Sequence, residues 1–465
     1  MNIFSKKNMP KFNIENTLLL CWLLILLTLN INSSNLYDKF DTKNIINYKN
    51  FILATNYIRY FIPFLLLPIL SYKFLLLKKE NTFVNLFVLY GLWQLIIFII
   101  INKNIENYDE FLIIFNLIIV LLIFDLANYY DYKKFFNKAL FLIILFISVV
   151  SVFFTFTLLS EFILDHNMLY LYSSNSLEAE SKTLEQANPR VTGISRMLLI
   201  LFYFIFFLKV KSRKNKLLLL ILFFISCLIY AMQSRGGLIG IFLLFFIYVF
   251  FIKEELKKKI FIIFIIFLLP ILFWETIRTF KLYYYKEYKE NELIDKSYNF
   301  TKNNRLSNSI KVGVNDDVSS GRIIIWKRAA KIIIEEKIFF GLGPQADRRH
   351  LVEEKFKKDK DKYFWQNNSS NALIYSYLCG GFIGLLLMLS IYWLIAKQVF
   401  KIFLKKGVFN KSSLEVKFAS TTITYLTIRT IFENGYGLFS VDFCFCSLCY
   451  FILIRNNKLK KISSN

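Results

Sequence analysis

Apolar runs of helical length recur along this chain, separated for the most part by short polar loops. A bilayer core of ~30 Å needs about 20 mostly apolar residues in one helix. Runs of that kind lie near 17–32, 60–78, 82–102, 111–130, 139–160, 196–209, 217–233, 236–252, 260–278, 371–397, 417–433 and 437–454. The pattern predicts an all-α integral membrane protein with about 12 transmembrane helices. The run at 196–209 is the shortest. Polar stretches at 33–59, 161–195 and 279–370 are longer than a turn requires, and long loops in compact proteins usually carry function. The chain therefore divides into a membrane part at 1–278, a large loop with short helices at 279–370, and a membrane part with a polar tail at 371–465.

Charge gives these spans a direction. Lysines and arginines fill every second loop: Lys73 to Lys79, Lys133 to Lys138, Lys209 to Lys216, Lys253 to Lys259, and Lys401 to Lys411. Both termini join this set, through Lys6, Lys7 and Lys11 and through Arg455 to Lys461. The positive-inside rule puts them all in the cytoplasm, so the three long stretches face outward. The first apolar run lacks a small-residue cleavage site and reads as an uncleaved span.

Composition narrows the function classes. The 465 residues are 56% hydrophobic, with 52 Phe and 27 Tyr, and mean hydropathy is +0.47. A net charge of +25 would point to nucleic acid in a soluble protein, but here the lysines set topology and no basic stripe with interleaved aromatics appears. The six cysteines sit inside apolar runs and read as small buried residues. With only His166 and His350, no metal motif, P-loop or dinucleotide fingerprint is present, and no cofactor is expected. Asp359 and Asp361 form a DxD, but within a run of solvated charge.

Candidate chemistry rests on arginines at the outward ends of spans. Arg235, in Ser234-Arg235-Gly236-Gly237, sits in a tight loop between two spans. It either anchors to lipid phosphate or forks onto the phosphate of a lipid-linked substrate. Arg322, in Ser320-Gly321-Arg322, opens a helical stretch that contains Trp326 and ends near Glu336; Ser319 or Ser320 could cap it. Arg190 and Arg196 flank Gly193 just before the sixth span, either binding substrate or snorkelling to the interface. Arg429 and Glu433 share one helix face, and Asp442 lies on the returning span. At 1.5 Å per residue, Arg429 and Asp442 both fall roughly 7–9 Å below the outer surface and can pair. Charges at such depth mark a structural bridge or a functional site.

The ordered set Ser234-Arg235-Gly236, the long outward loop, Ser320-Gly321-Arg322 with Trp326, Phe340-Gly341-Leu342-Gly343, and Asn371-Ala372-Leu373 leading to Gly381 and Gly384 resembles the O-antigen ligase/polymerase family of bacterial envelope enzymes. The resemblance implies a multi-pass glycosyltransferase of the bacterial inner membrane, with both termini cytoplasmic and its active site facing the periplasm. Its donor would be a glycan on undecaprenyl pyrophosphate, its acceptor a second glycan or a lipid, and membrane lipids its surroundings. Arg235 and Arg322 would be the catalytic residues, holding the pyrophosphate without a metal. Arg190, Arg196, Trp326, Ser370, Asn371, Arg429 and Glu433 would line the substrate site. In ligases a His precedes the Asn that opens the span after the long loop; here that position is Ser370. The departure favours a polymerase of lipid-linked oligosaccharide repeats over an O-antigen ligase. The acceptor's base is unassigned, with Glu433 a candidate and His350 reachable only through a rearranged loop. A lipid-linked glycan flippase is a further alternative, but it requires polar groups near the bilayer midplane, and few are present.

Overall fold

The computed structural model describes residues 14–28, 81–101, 108–132, 134–164, 191–212, 215–232, 234–291, 322–336, 338–344, 346–347, 369, 371–404, 407–433, 435–436 and 440–462. The described residues are mostly helical, with no strand among them. In chain order the helices are α1 (Ile14–Thr28), α2 (Thr82–Ile101), α3 (Tyr108–Tyr129), α4 (Phe135–Leu164), α5 (Val191–Lys211), α6 (Lys216–Ala231) and α7 (Arg235–Phe251). Then come α8 (Leu256–Ile263), continued through a π-helical turn (Phe264–Leu268) into α9 (Leu269–Asn291), and α10 (Arg322–Glu335). The chain closes with α11 (Ala372–Phe403), the single turn α12 (Val408–Lys411), α13 (Leu414–Arg429) and α14 (Val441–Ile462).

Each predicted run overlaps one of these helices except 60–78, which lies outside the described residues. Among the described residues, five stretches are long and apolar enough to cross a membrane: Thr82–Ile100, Phe135–Ser160, Gly193–Lys211, Leu256–Lys281 and Ala372–Phe403. Lys216–Ala231 and Arg235–Phe251 are as apolar but shorter. The helix from the ninth run does not stop at 278 but runs on to Asn291.

One continuous core runs through the bundle, with α13 and α14 at its centre. Along α14, Phe443 to Cys446 and Leu448 to Leu453 are nearly all fully buried. Helix α13 is rich in Ser and Thr yet equally buried, and several of its hydroxyls bond its own carbonyls. Thr424 donates to the Ser420 carbonyl (2.7 Å) and Thr427 to that of Ile423 (2.7 Å). The exposed apolar side chains lie on outer helices, as Val149, Val152 and Phe156 do on α4 and Phe242 and Phe250 on α7, where lipid is the solvent. Small residues set the contact between α5 and α7. A Cβ on Gly237 would overlap Ser195 Oγ and one on Gly240 the Leu199 side chain, so the two backbones approach closely. The Tyr203 hydroxyl closes that contact by donating to the Gly240 carbonyl (2.7 Å).

The tenth run is not one straight span. Helix α11 breaks at Gly381, with φ +60° and ψ −155°. The Ser376 carbonyl oxygen lies 2.6 Å from where a Cβ on Gly384 would sit, although eight residues of straight helix span about 12 Å. Thr430 meets both arms: its carbonyl accepts from the Ala372 N–H (3.0 Å) and its hydroxyl from the Tyr392 hydroxyl (2.7 Å). A straight helix would hold residues 372 and 392 about 30 Å apart. The arms 372–380 and 382–403 therefore fold back on each other around a sharp elbow.

The elbow survives burial because its freed backbone groups find partners. The turn Phe339–Gly343 sits against it. The Leu342 N–H donates to the Leu378 carbonyl (2.8 Å), Gly343 to Cys379 (3.0 Å), and Phe382 to Phe339 (2.9 Å). Trp93 Nε1 donates to the Gly380 carbonyl (2.7 Å). The two chains touch where neither carries a side chain: Gly341 has φ +98°, and a Cβ on Gly381 would overlap the Phe339 carbonyl oxygen. Helix α10 then packs Ile325, Ala329 and Ile332 onto Leu378 of the short arm.

This geometry predicts a large difference between adjacent glycines. Gly381→Ala imposes a left-handed conformation on a residue with a Cβ and a clash on the turn, and should destabilise by about 2 kcal/mol or more. Gly380→Ala, whose Cβ would sit 3.5 Å from Trp93 Cδ1 in ordinary contact, should be tolerated. Thermal unfolding of both variants in the same detergent checks this.

Candidate functional site

Four helices begin, and one ends, at a single place in the bundle. Its centre is Asp442, in the first turn of α14, whose side chain is 4% exposed. Asp442 Oδ1 lies 3.0 Å from Arg196 Nη1 on α5, and Oδ2 accepts from Arg429 Nη1 at the end of α13. Arg429 Nη2 is also 3.7 Å from Glu433, whose side chain is one-third exposed. The bridge between Arg429 and Asp442 is the one that depth arithmetic across the hairpin predicts. Gly435 seals the cluster, since a Cβ there would sit 2.9 Å from Asp442 Oδ2.

Arg196 differs from expectation. It does not precede the helix at the interface; α5 starts at Val191, so Arg196 lies within its second turn. Its side chain is 12% exposed and paired with Asp442 rather than snorkelling. The physical reason is the inward carboxylate, which holds a guanidinium at a depth where an unpaired one would be costly.

Arg235 opens α7 and is half-buried, and Ser234 caps that helix by accepting from the Gly237 N–H (3.4 Å). A Cβ on Gly236 would sit 3.7 Å from Tyr425 Oη, one turn before Arg429 on α13. The start of α7 therefore abuts the Asp442 cluster. Arg322 opens α10, and its side chain is not among those described. One turn on, Trp326 Nε1 donates to the Ser369 carbonyl (3.0 Å). Ser369 is fully buried, and Asp347 Oδ2 accepts from both its N–H (2.9 Å) and its hydroxyl (3.2 Å).

Asn371 joins this loop edge to α13. Its Oδ1 caps α11 by accepting from Leu373 and Ile374 (2.9 and 3.0 Å), and its Nδ2 donates to the Ile431 carbonyl (3.0 Å). Trp326 and Asn371 thus direct these polar groups at the protein and position the loop edge. Arg190, Ser370, His350, Asp359 and Asp361, as well as the proposed caps Ser319 and Ser320, lie outside the described residues.

Residues 219–389 match the O-antigen ligase family. Over that segment the match agrees with the resemblance to the O-antigen ligase/polymerase family carried by the order of the motifs. It runs from α6 through the elbow of α11 and includes Arg235, Arg322, Trp326, Ser370 and Asn371. Arg196, Arg429, Glu433 and Asp442 lie outside the matched segment but adjoin it in space. A match to the O-antigen ligase family, on a chain with several apolar spanning helices, supports a multi-pass membrane enzyme that processes glycans. No curated protein and no solved structure matches the chain. Among the described residues, no group of three or more His, Cys, Asp or Glu side chains could hold a metal.

Sequence reasoning missed Asp347, Trp93 and Tyr425. Asp347 precedes Arg348 and Arg349 and reads as loop charge, whereas the other two are single aromatics in aromatic-rich spans.

Removal of the central carboxylate is the sharpest stability test. Asp442→Asn leaves two buried guanidiniums without their shared counter-charge and should cost about 3–5 kcal/mol. Glu433→Gln removes a partly exposed partner and should cost under about 1 kcal/mol. The two thermal unfolding midpoints, measured side by side, decide between a central and a peripheral role for each acid.

Proposed function

We propose that this protein is a glycosyltransferase that polymerises oligosaccharide repeat units carried on undecaprenyl pyrophosphate, with its active site on the periplasmic face of the bacterial inner membrane. Twelve spans with both termini in the cytoplasm, 279–370 outside as the large loop, follow from the alternation of basic loops. The observation that carries the proposal is the meeting of helix N-termini at Asp442. Helices α5, α7, α11 and α14 all start around the end of α13, and each brings the positive end of its dipole. Arg196 and Arg429 set two guanidiniums against the carboxylates of Asp442 and Glu433, and Arg235 opens the helix that abuts them. Such a place favours a polyanion and holds its dipoles fixed before the ligand arrives.

The chemistry follows from that electrostatic bias. An acceptor sugar hydroxyl attacks the anomeric carbon of the donor. The bond from that carbon to the pyrophosphate oxygen breaks, and the electron pair leaves with the lipid pyrophosphate. Arg235 and Arg322 stabilise the charge that grows on the leaving oxygens, so no metal is required for that task. The hydroxyl proton needs an acceptor. Glu433, one-third exposed and oriented by Arg429, is the candidate base. Arg190, Ser370 and the edge built by Trp326 and Asn371 would border the sugar.

Transfer to lipid A core or another acceptor is the second reading, favoured by the name of the matching family. Ser370, where the resemblance expects a ligase histidine, argues for polymerisation.

Surface glycan from cells expressing single variants tests the assignment. Arg235→Ala and Arg322→Ala should each collapse the ladder of long chains to single repeats, a loss of at least about 100-fold, as expected when a main charge contact to the leaving group goes. Lysine at either position should restore activity only in part, because the bidentate fork is lost. A normal ladder from either alanine variant, at normal membrane abundance, removes that arginine from the mechanism.

A further inference from the structure

Two buried hydroxyls beside the start of α7 have no hydrogen-bond partner among the described residues: Tyr425 Oη and Ser195 Oγ. Tyr425 is 1% exposed and Ser195 is fully buried. A buried hydroxyl without a partner is unfavourable and rare enough to need a reason. The nearest aromatic neighbour of Tyr425 is itself engaged. Its ring packs edge-on against Tyr203 (centroids 6.0 Å apart, 90°), and the Tyr203 hydroxyl is committed to the Gly240 carbonyl.

The phenol is directed at an anion-binding feature. Helix α7 is 17 residues long, and its first intrahelical bond runs from the Leu238 N–H to the Ser234 carbonyl (2.9 Å). The amides ahead of Leu238 have no acceptor within the helix, and the Ser234 side chain accepts that of Gly237. Tyr425 Oη lies 3.7 Å from the Cβ position of Gly236, in the middle of that first turn. Any side chain longer than alanine at 236 would cover it. Arg429 stands one turn further along α13, paired through Asp442 with Arg196.

We propose that Tyr425 is a further substrate-contacting residue: its hydroxyl donates a hydrogen bond to a phosphoryl oxygen of a lipid-linked diphosphate seated on the N-terminus of α7, with Ser195 Oγ beside it. The proposal rests on the diphosphate reading of the site given above. It explains why a tyrosine stands where phenylalanine would pack as well and bury no polar atom. A buried hydroxyl left without a partner is the pattern expected when stability is given up for function.

The test is Tyr425→Phe in the full-length protein in lipid nanodiscs, with undecaprenyl diphosphate as the probe. The expected result is Kd weakened at least about tenfold, the loss expected for a hydrogen bond to a charged group. The thermal midpoint should be unchanged or higher, because the lost hydroxyl had no partner. An unchanged Kd overturns the proposal. A midpoint lowered in step with the binding loss also overturns it, by showing a structural role. Arg235→Ala, run in parallel, separates the two layers. If it too leaves Kd unchanged, the diphosphate reading itself falls. If it weakens binding while Tyr425→Phe does not, only the role of Tyr425 falls.

Discussion

A single carboxylate, Asp442, organises the end of the bundle where four helices begin. It is nearly inaccessible to solvent and pairs with guanidiniums from two other helices, so α5, α13 and α14 share one electrostatic centre. In a bilayer, close packing alone distinguishes poorly between one helix arrangement and another, since lipid is as apolar as the side chains it replaces. A buried three-charge cluster does distinguish them, because each alternative leaves a charge unpaired. The arrangement fixes the depth and rotation of α5 and α13 together. It thereby sets where Tyr425 and the start of α7 meet.

Around that centre the outer segment is built from backbone geometry as much as from side chains. Asp347 and Trp326 hold Ser369 from opposite sides, and Asn371 ties the start of α11 to the end of α13. These polar groups are held by partners within the protein, as suits a membrane boundary. The match to the O-antigen ligase family ends at residue 389, beyond the elbow, so it contains the loop edge and the elbow but not the carboxylate that anchors them. The recognisable motifs and the electrostatic anchor are thus separate along the chain and adjacent in space.

Much of the helical layout was legible from apolar periodicity, because a helix in lipid must be apolar over a fixed length. The bridge between Arg429 and Asp442 was legible for the same reason: a short turn and a constant rise put the two at one depth. Arg196 was not, since where α5 begins depends on a pairing with a residue almost 250 positions later. The fold-back of α11 was also hidden. Hydropathy reads 371–397 as one apolar run, and only the contact with Gly341, from a loop 40 residues earlier, turns Gly381 into an elbow. The unpartnered Tyr425 hydroxyl has no signature in composition or spacing, because satisfaction of a hydrogen bond is a property of the packed state.

The interlock of the Phe339–Gly343 turn with the α11 elbow has a further consequence for inheritance. Two glycines on different segments occupy each other's missing side-chain space, and main-chain bonds join the segments in both directions. Neither segment carries the complementary shape alone. A chimera that takes the outer loop from one relative and the following span from another would join halves of two different fittings. Swaps between relatives should therefore be cut before residue 339 and after residue 384, so that loop and elbow travel as one cassette.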